Sequence, residues 1–347
     1  GTGSFDPEGS AQLPIRTAVA SPEYESAIDS SRAVLRAAAA EGVGVAAAVA
    51  VEGEIIWLEG AGYADRTDRA PVDPGTTRFR VYSVTKPMTA AAPARLMERG
   101  RLDPSAPVQR YVSDFPEHPA HPTPITPMHL ATHTSGIRHY ADEGEAANRR
   151  HCETVEEALT LFRDDPLVHP PGDGETYSSW GYVLLSAVLE GATASTYSEV
   201  MEEWVFEPTG MARTVLDDPT ATVEGRAAFY EEVEGGEEPD RLRPAEPVDN
   251  TCKWGAGAYL STAGDVARFG AAMLDPGFLS PPSLELFMRG EDVYRAQGVG
   301  AGGAAFLVVD RGASLIVALL SNAVGEGAGP AAQRATAAIH DWFREAD

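Results

Sequence analysis

The sequence predicts a mixed α+β fold: an antiparallel sheet assembled from both ends of the chain, flanked by helices, with a mainly helical region inserted between the two halves. Three observations predict it. Strand-like runs come as hairpin pairs near each end, helical patterns lie outside those pairs, and the long middle is punctuated by Pro and Gly between helical stretches.

Taken in order, "SPEYESAIDSSRAVLRAAAAEG" reads as a helix closed by Gly42, with Tyr24, Ala27, Ile28, Val34 and Leu35 loosely on one side. "VGVAAAVAV" and "EIIWLEGAGYA" follow across the turn-like Glu52-Gly53 and read as a hairpin. Near the other end "AAFLVVD" and "SLIVALLSNA" make a second hairpin across "RGA", followed by the helical tail "GPAAQRATAAIHDWFREA". Between them "MHLATHTSG", "TVEEALTLFRDD", "GYVLLSAVLEGA" and "AGDVARFGAAML" read as helices. The acidic run "EEVEGGEEPDRLRP" is expected to be a solvated loop or hairpin tip, since like charges resist burial together. The expected organisation is a flexible N-terminal segment over 1–22, then a single domain over 23–347, with its sheet region at 23–82 and 291–347 and its helical region at 83–290.

Composition limits the function. The 52 acidic and 27 basic residues give a net charge of −25, which repels phosphate backbones and anionic lipid surfaces, so no nucleic-acid partner is expected. No run is long and apolar enough for a membrane span. Basic residues are overwhelmingly Arg, a usage that fits either a surface solvated in high salt or a bias in base composition. Cys152 and Cys252 have no C-x-x-C spacing and read as two buried thiols. The opening "GTGS" reads as a cloning remnant, behind which a signal peptide or anchor would be invisible.

The chemistry centres on "VYSVTKPMTA", which holds one of the two lysines of the chain. Ser83 and Lys86 are three apart, so a helix starting at Ser83 puts both side chains on one face. The positive end of that helix would favour an alkoxide, and an amine of depressed pKa would take the serine proton. An S-x-x-K arises by chance in roughly one such chain in ten, so the pair alone is only suggestive. Pro87 suits a first turn, whereas Pro93, inside the same helix, should cost on the order of 3 kcal/mol or force a kink.

The company of the motif decides more. "YSVTKPMTAAAPARLMERGRLDPSAPVQRYVSDFP", "ITPMHLATHTSGIRHY", "PGDGETYSSWGYVLLSAVLE", "VDNTCKWGAGAYLSTAGDVARFGAAML" and "FLVVDRGASLIVALLSNA" occur in that order and together resemble the serine beta-lactamase and penicillin-binding-protein superfamily, in its class C-like branch. The resemblance implies the beta-lactamase/transpeptidase-like fold, no cofactor and no metal. It implies Ser83 as nucleophile with Lys86 as its partner, and Tyr177, in "YSSWGY", as general acid and base. Ser179 stands where the family usually has Asn, with a hydroxyl's shorter reach and single donor in place of an amide. At the third motif, Lys-Thr-Gly or His-Thr-Gly in the family, counting back from "AAFLVVD" gives Ala296, Gln297 and Gly298, with Val299 supplying an oxyanion N–H. The cation of that motif is gone, and the connection before it is short. Either the site edge has been trimmed and opened, or the alignment slips there.

These readings predict a serine hydrolase with an acyl-enzyme at Ser83, esterase or peptidase-like on small-molecule or short-peptide substrates, with weak or no beta-lactamase activity. Two alternatives stay open: a non-catalytic binding or scaffold protein of the same fold, and an acyltransferase using the same nucleophile. A Lys that is kept where Arg could not deprotonate favours catalysis; Lys253 has no assigned role. His129 and His133, at i and i+4 with His118, His121 and His139 nearby, raise a metal reading, against which the glutamate of H-E-x-x-H is missing. Asp265 and Arg268 read as a helix-start cap and a surface pair. The resemblance slightly favours a periplasmic or extracellular location; oligomeric state is left open.

Overall fold

The structure, a computed structural model, describes residues 13–40, 43–233 and 241–346. Its frame is a six-stranded sheet of β1 (Ile15–Ala20), β2 (Val45–Val51), β3 (Glu54–Ala61), β4 (Val293–Gly300), β5 (Gly303–Asp310) and β6 (Leu315–Ser321), in the order β1-β3-β2-β6-β5-β4. Every neighbouring pair is antiparallel. The two predicted hairpins are β2–β3 and β5–β6, and they join where Val49 faces Val317. The sheet is thus closed by a pairing between residues at opposite ends of the sequence.

Strands β2, β5 and β6 are buried along their whole length, and alternate residues serve two cores. Val45, Ala47, Val49 and Trp57 face α1 (Glu25–Ala38) and α5 (Ala328–Ala346), where Trp57 stacks on Phe343 with centroids 6.2 Å apart. Ala46, Ala48, Leu307 and Ile316 face the helical region through α4 (Ala263–Met273). The alanine-rich β2 lets helices approach closely. On α4, a Cβ added at Gly270 would come within 2.6 Å of Ile316, so the helix sits against the sheet only because that position is bare.

Helix α2 (Thr85–Glu98) is buried on all sides from Thr85 to Leu96 and forms the axis of the helical region. Pro93 is held inside it. Beside it, α3 (Ser179–Thr193) begins at the N-cap Ser178, whose Oγ accepts the Gly181 N–H at 2.9 Å and donates to the Arg138 carbonyl at 2.8 Å.

Several expectations are corrected. The segment 1–22 is not flexible throughout: Ile15–Ala20 is the edge strand β1, unreadable from sequence because only Ile15 and Val19 are half-buried and the register shifts between Thr17 and Val19; residues 1–12 lie outside the described part. "MHLATHTSG" is helical only over Pro127–Ala131, because His133 adopts φ +60°. The expected acidic hairpin has described arms, Tyr230–Glu232 and Leu242–Pro244, but its tip at 234–240 lies outside the described residues. The cysteines are not free: Cys152 and Cys252 form a disulfide across 100 residues, a contact that only the fold creates.

One buried ionic cluster ties the layers together. Asp217, 1 % exposed, accepts from Arg80 Nε at 2.8 Å, from Asn250 Nδ2 at 2.6 Å and from Arg226. Arg80 also donates to the Ala301 carbonyl in the β4–β5 turn at 2.8 Å. Removing the carboxylate leaves a buried guanidinium uncompensated, so Asp217→Ala is expected to cost about 3–5 kcal/mol. Denaturant unfolding that showed a loss under 1 kcal/mol would mean that water replaces the carboxylate.

Candidate active site

Ser83 lies in a 3-10 turn, Tyr82–Val84, immediately before α2 and not in its first α-helical turn as expected. Tyr82 is held at φ +42°, a conformation costly for a side chain of this size, and its hydroxyl is tied to the Ala301 carbonyl at 2.8 Å. The turn presents Ser83 to a cleft while Val84 and Thr85 stay buried.

Lys86, one turn on, reaches back so that Nζ lies 2.9 Å from Ser83 Oγ and donates to the Ala256 carbonyl at 2.8 Å. It is 4 % exposed and makes no ion pair among the described residues. Burial, with a smaller push from the nearby Lys253 charge, holds its pKa well below the ordinary lysine value. Tyr177 comes from the end of the loop before α3, and its hydroxyl donates to Ser83 Oγ at 2.9 Å. Its ring lies 4.8 Å from Lys86 Nζ and 4.6 Å from the His133 ring, with His139 edge-on at 5.2 Å. Burial raises the Tyr177 pKa above 10, partly offset by the hydrogen bond to Ser83. One hydroxyl is therefore contacted by an amine disposed to be neutral and a phenol disposed to keep its proton.

The surroundings are those of one recurring architecture, and the sequence match agrees: a family model described as Beta-lactamase matches residues 32–341. The chain belongs to the beta-lactamase family. It is 31% identical over 343 residues to the human "Serine beta-lactamase-like protein LACTB, mitochondrial", covering 75% of this chain and 62% of that one. Against Esterase EstB of Burkholderia gladioli it is 31% identical over 268 residues, covering 73% of this chain and 64% of the esterase. The chain thus spans less than two thirds of the length of these relatives. Among solved structures, "EstCE1, a hydrolase with promiscuous acyltransferase activity" superposes with a TM-score of 0.76 at 23% identity, over 91% of this chain and 99% of that one, a likeness of fold.

The other positions expected for the family lie on β4 and at the start of α3, elements next to the cleft. Gln297, Gly298 and Val299 lie on β4, the edge strand beside Ser83. A Cβ at Gly298 would come within 2.2 Å of the Val81 carbonyl and 2.6 Å of the Ser83 amide nitrogen, so strand and nucleophile touch backbone to backbone there. Gln297 and Val299 line the cleft. Ser179 is 2 % exposed, at the first turn of α3, and its N–H donates to His139 Nδ1 at 3.2 Å. Its buried hydroxyl contacts the Tyr140 and Tyr177 phenols more than the open cleft.

The histidines serve as packing and positioning groups. His133 Nδ1 accepts from Ser178 N–H at 3.2 Å, and burial beside Lys86 pushes its pKa down to about 4. Leaving the helix, it does not share a face with His129. No group of three or more candidate metal ligands occurs among the described residues.

Four features escaped sequence reasoning. The Ala256 carbonyl that holds Lys86 lies in a turn, Thr251–Ala256, fixed by the disulfide and by Thr251 Oγ1 bonding Asp249 at 2.6 Å. Lys253 is buried, donates to Asn250 Oδ1 at 2.7 Å and so joins the Asp217 cluster; desolvation lowers its pKa to about 8. A cation also remains in the cleft. Arg295 lies two residues before Gln297, roughly 7 Å further along the strand from Ser83. Asp265, read as a surface pair, is buried and accepts from Arg213 N–H at 2.7 Å as well as from Arg268.

Proposed function

We propose that this chain is a serine hydrolase that acylates Ser83 and passes the acyl group to water, acting as an esterase or peptidase-like enzyme on neutral esters or amides, with weak or no beta-lactamase activity. The observation that carries the reading is the double contact of Ser83 Oγ, with Lys86 Nζ and the Tyr177 hydroxyl each at 2.9 Å.

In this mechanism neutral Lys86 takes the Ser83 proton as Oγ attacks the substrate carbonyl. The backbone N–H groups of Ser83 and Val299 hold the oxyanion, a task that needs positioned donors and no particular side chains. Tyr177 gives its proton to the leaving oxygen or nitrogen and is restored through Lys86. Water then repeats the attack with the proton path reversed. Gln297 is the substrate-facing group of the third motif, while Ser179 of the second motif acts from behind the wall by bonding the Tyr177 phenol. The missing third-motif cation argues for substrates without a carboxylate next to the reacting bond, and the relationship to an enzyme named an esterase agrees in kind.

Intact mass after exposure to a fluorophosphonate tests the reading. A single adduct on the wild type, absent from Ser83→Ala and slowed about a thousandfold or more in Lys86→Ala, is expected. No adduct on the wild type would favour the non-catalytic binding reading instead.

A further inference from the structure

The cleft at Ser83 encloses about 640 Å³, within the range of a small-molecule site. Its shape is uneven in chemistry. Four polar groups, Ser83, Lys86, His133 and Tyr177, gather in mutual contact, with Thr132, Gln297, Arg289 and Arg295 also on the wall. From there Pro87, Ala90, Ala94 and Met97 continue along α2 at helical spacing, forming an apolar stripe that borders the cavity. Lys86 and Met97 lie about 16 Å apart along the helix at 1.5 Å per residue. Leu286 and Phe287, on the helix Pro281–Met288, help close the cavity. Leu286 is 44 % exposed, an apolar side chain standing at a site rim without a partner to cover it. Of the two arginines on the cleft, Arg289 is held by Glu175 through two hydrogen bonds of 2.9 and 2.7 Å.

We propose that this apolar arm, a small-residue stripe on α2 faced by Leu286 and Phe287 and opening directly onto Ser83, holds a straight apolar acyl chain of on the order of eight to twelve carbons. The inference rests on the hydrolase reading and names its substrate class: esters or amides of medium-chain acids. The arm holds the acyl half because that half stays bonded to Ser83 Oγ until water arrives, whereas the leaving group departs beside Tyr177, which is 45 % exposed and open to solvent. Alanines at 90 and 94 carry nothing beyond Cβ to block an alkyl chain lying against α2. Each methylene that leaves water for such a wall favours binding about three- to fourfold.

The test is a series of ethoxy alkylphosphonofluoridates with methyl, butyl, octyl or dodecyl on phosphorus, the alkyl standing for the acyl chain. In each, the Ser83 Oγ–P bond forms, the P–F bond breaks, fluoride leaves and Lys86 takes the serine proton. Labelling rates are read by intact mass on the wild type, Ala94→Phe and Leu286→Glu. The octyl rate is expected to exceed the methyl rate at least tenfold on the wild type, and that ratio to fall at least fivefold in Ala94→Phe and severalfold in Leu286→Glu. Leu286 is on the surface, so its variant reads the ratio even if Ala94→Phe folds poorly.

Methyl labelling with no gain from chain length, or variant ratios equal to the wild type, would overturn the acyl arm and leave the hydrolase reading standing. A gain only when the chain is moved to the alkoxy side would overturn the acyl assignment. Preference for a chain ending in a carboxylate would overturn the apolar chain in favour of recognition by Arg295. No labelling by any probe would sink the hydrolase reading and this inference with it.

Discussion

Lys86→Met is expected to lower kcat/KM for a p-nitrophenyl ester by about a thousandfold, the middle of what a positioned general base contributes. The variant keeps the length of the side chain and removes the amine. Because burying Lys86 without a carboxylate partner forces its amine towards the neutral form at a cost in folding free energy, removing the amine relieves that cost, so the melting temperature should stay level or rise. The pH profile carries the more specific signature. The base must be neutral, so activity rises with pH as Lys86 loses its proton, and the depressed pKa places that limb well below the ordinary lysine value of 10.5. Tyr177 must keep its proton to donate it, and its raised pKa places the falling limb above 10. A plateau lies between them. An acid limb near neutrality cannot belong to His133, whose pKa lies at about 4. In Lys86→Met the residual activity should lose the acid limb. Full activity in that variant, or an unchanged limb, would remove Lys86 from the mechanism.

Gly298→Ala should cost about a hundredfold in kcat, comparable to losing one oxyanion donor. The glycine is needed for space and not for an unusual backbone angle. Its added methyl would meet the Val81 carbonyl at 2.2 Å and the Ser83 amide nitrogen at 2.6 Å, both backbone atoms that cannot rotate away. The strand has to move outward, carrying Val299 with it. Since β4 is the edge of the sheet, that movement breaks little packing, and the melting temperature should fall by only about 5 °C or less. Stopped-flow acylation rates beside a thermal melt separate the two effects. Unchanged acylation would show that the oxyanion is held elsewhere.

How far the sequence could be read depended on whether the signal was local. The hairpins β2–β3 and β5–β6 and the helices α3 and α4 were legible because strand runs, turns and caps lie within a few residues of one another. Edge strand β1 was missed because four of its six residues are exposed and only Ile15 and Val19 turn towards the sheet. The positions of Ser83, Lys86 and Tyr177 were legible through spaced motifs, but their meeting was not: Tyr177 is 94 residues from Ser83, and the Ala256 carbonyl on Lys86 is 170 residues away. The Cys152–Cys252 bridge and the burial of Lys253 are of the same kind. Each is a product of packing, with no periodicity to announce it. His133 shows the reverse error, in which a clean i, i+4 spacing misleads because one left-handed residue ends the helix.

The pairing of β2 with β6 sets the order of events during synthesis. Val45 faces Ser321, so the centre of the sheet cannot form until the chain has emerged through Ser321. Until then the β2–β3 hairpin presents an apolar, unpaired edge, while the helical region between can collapse on contacts made within itself. Such a topology folds slowly and passes through a state with an open strand edge, which is the surface that self-association and chaperones recognise. Assembly of the sheet therefore waits for residues 293–321, which supply β4 to β6, and a chain interrupted before them has a first hairpin with no partner for its edge.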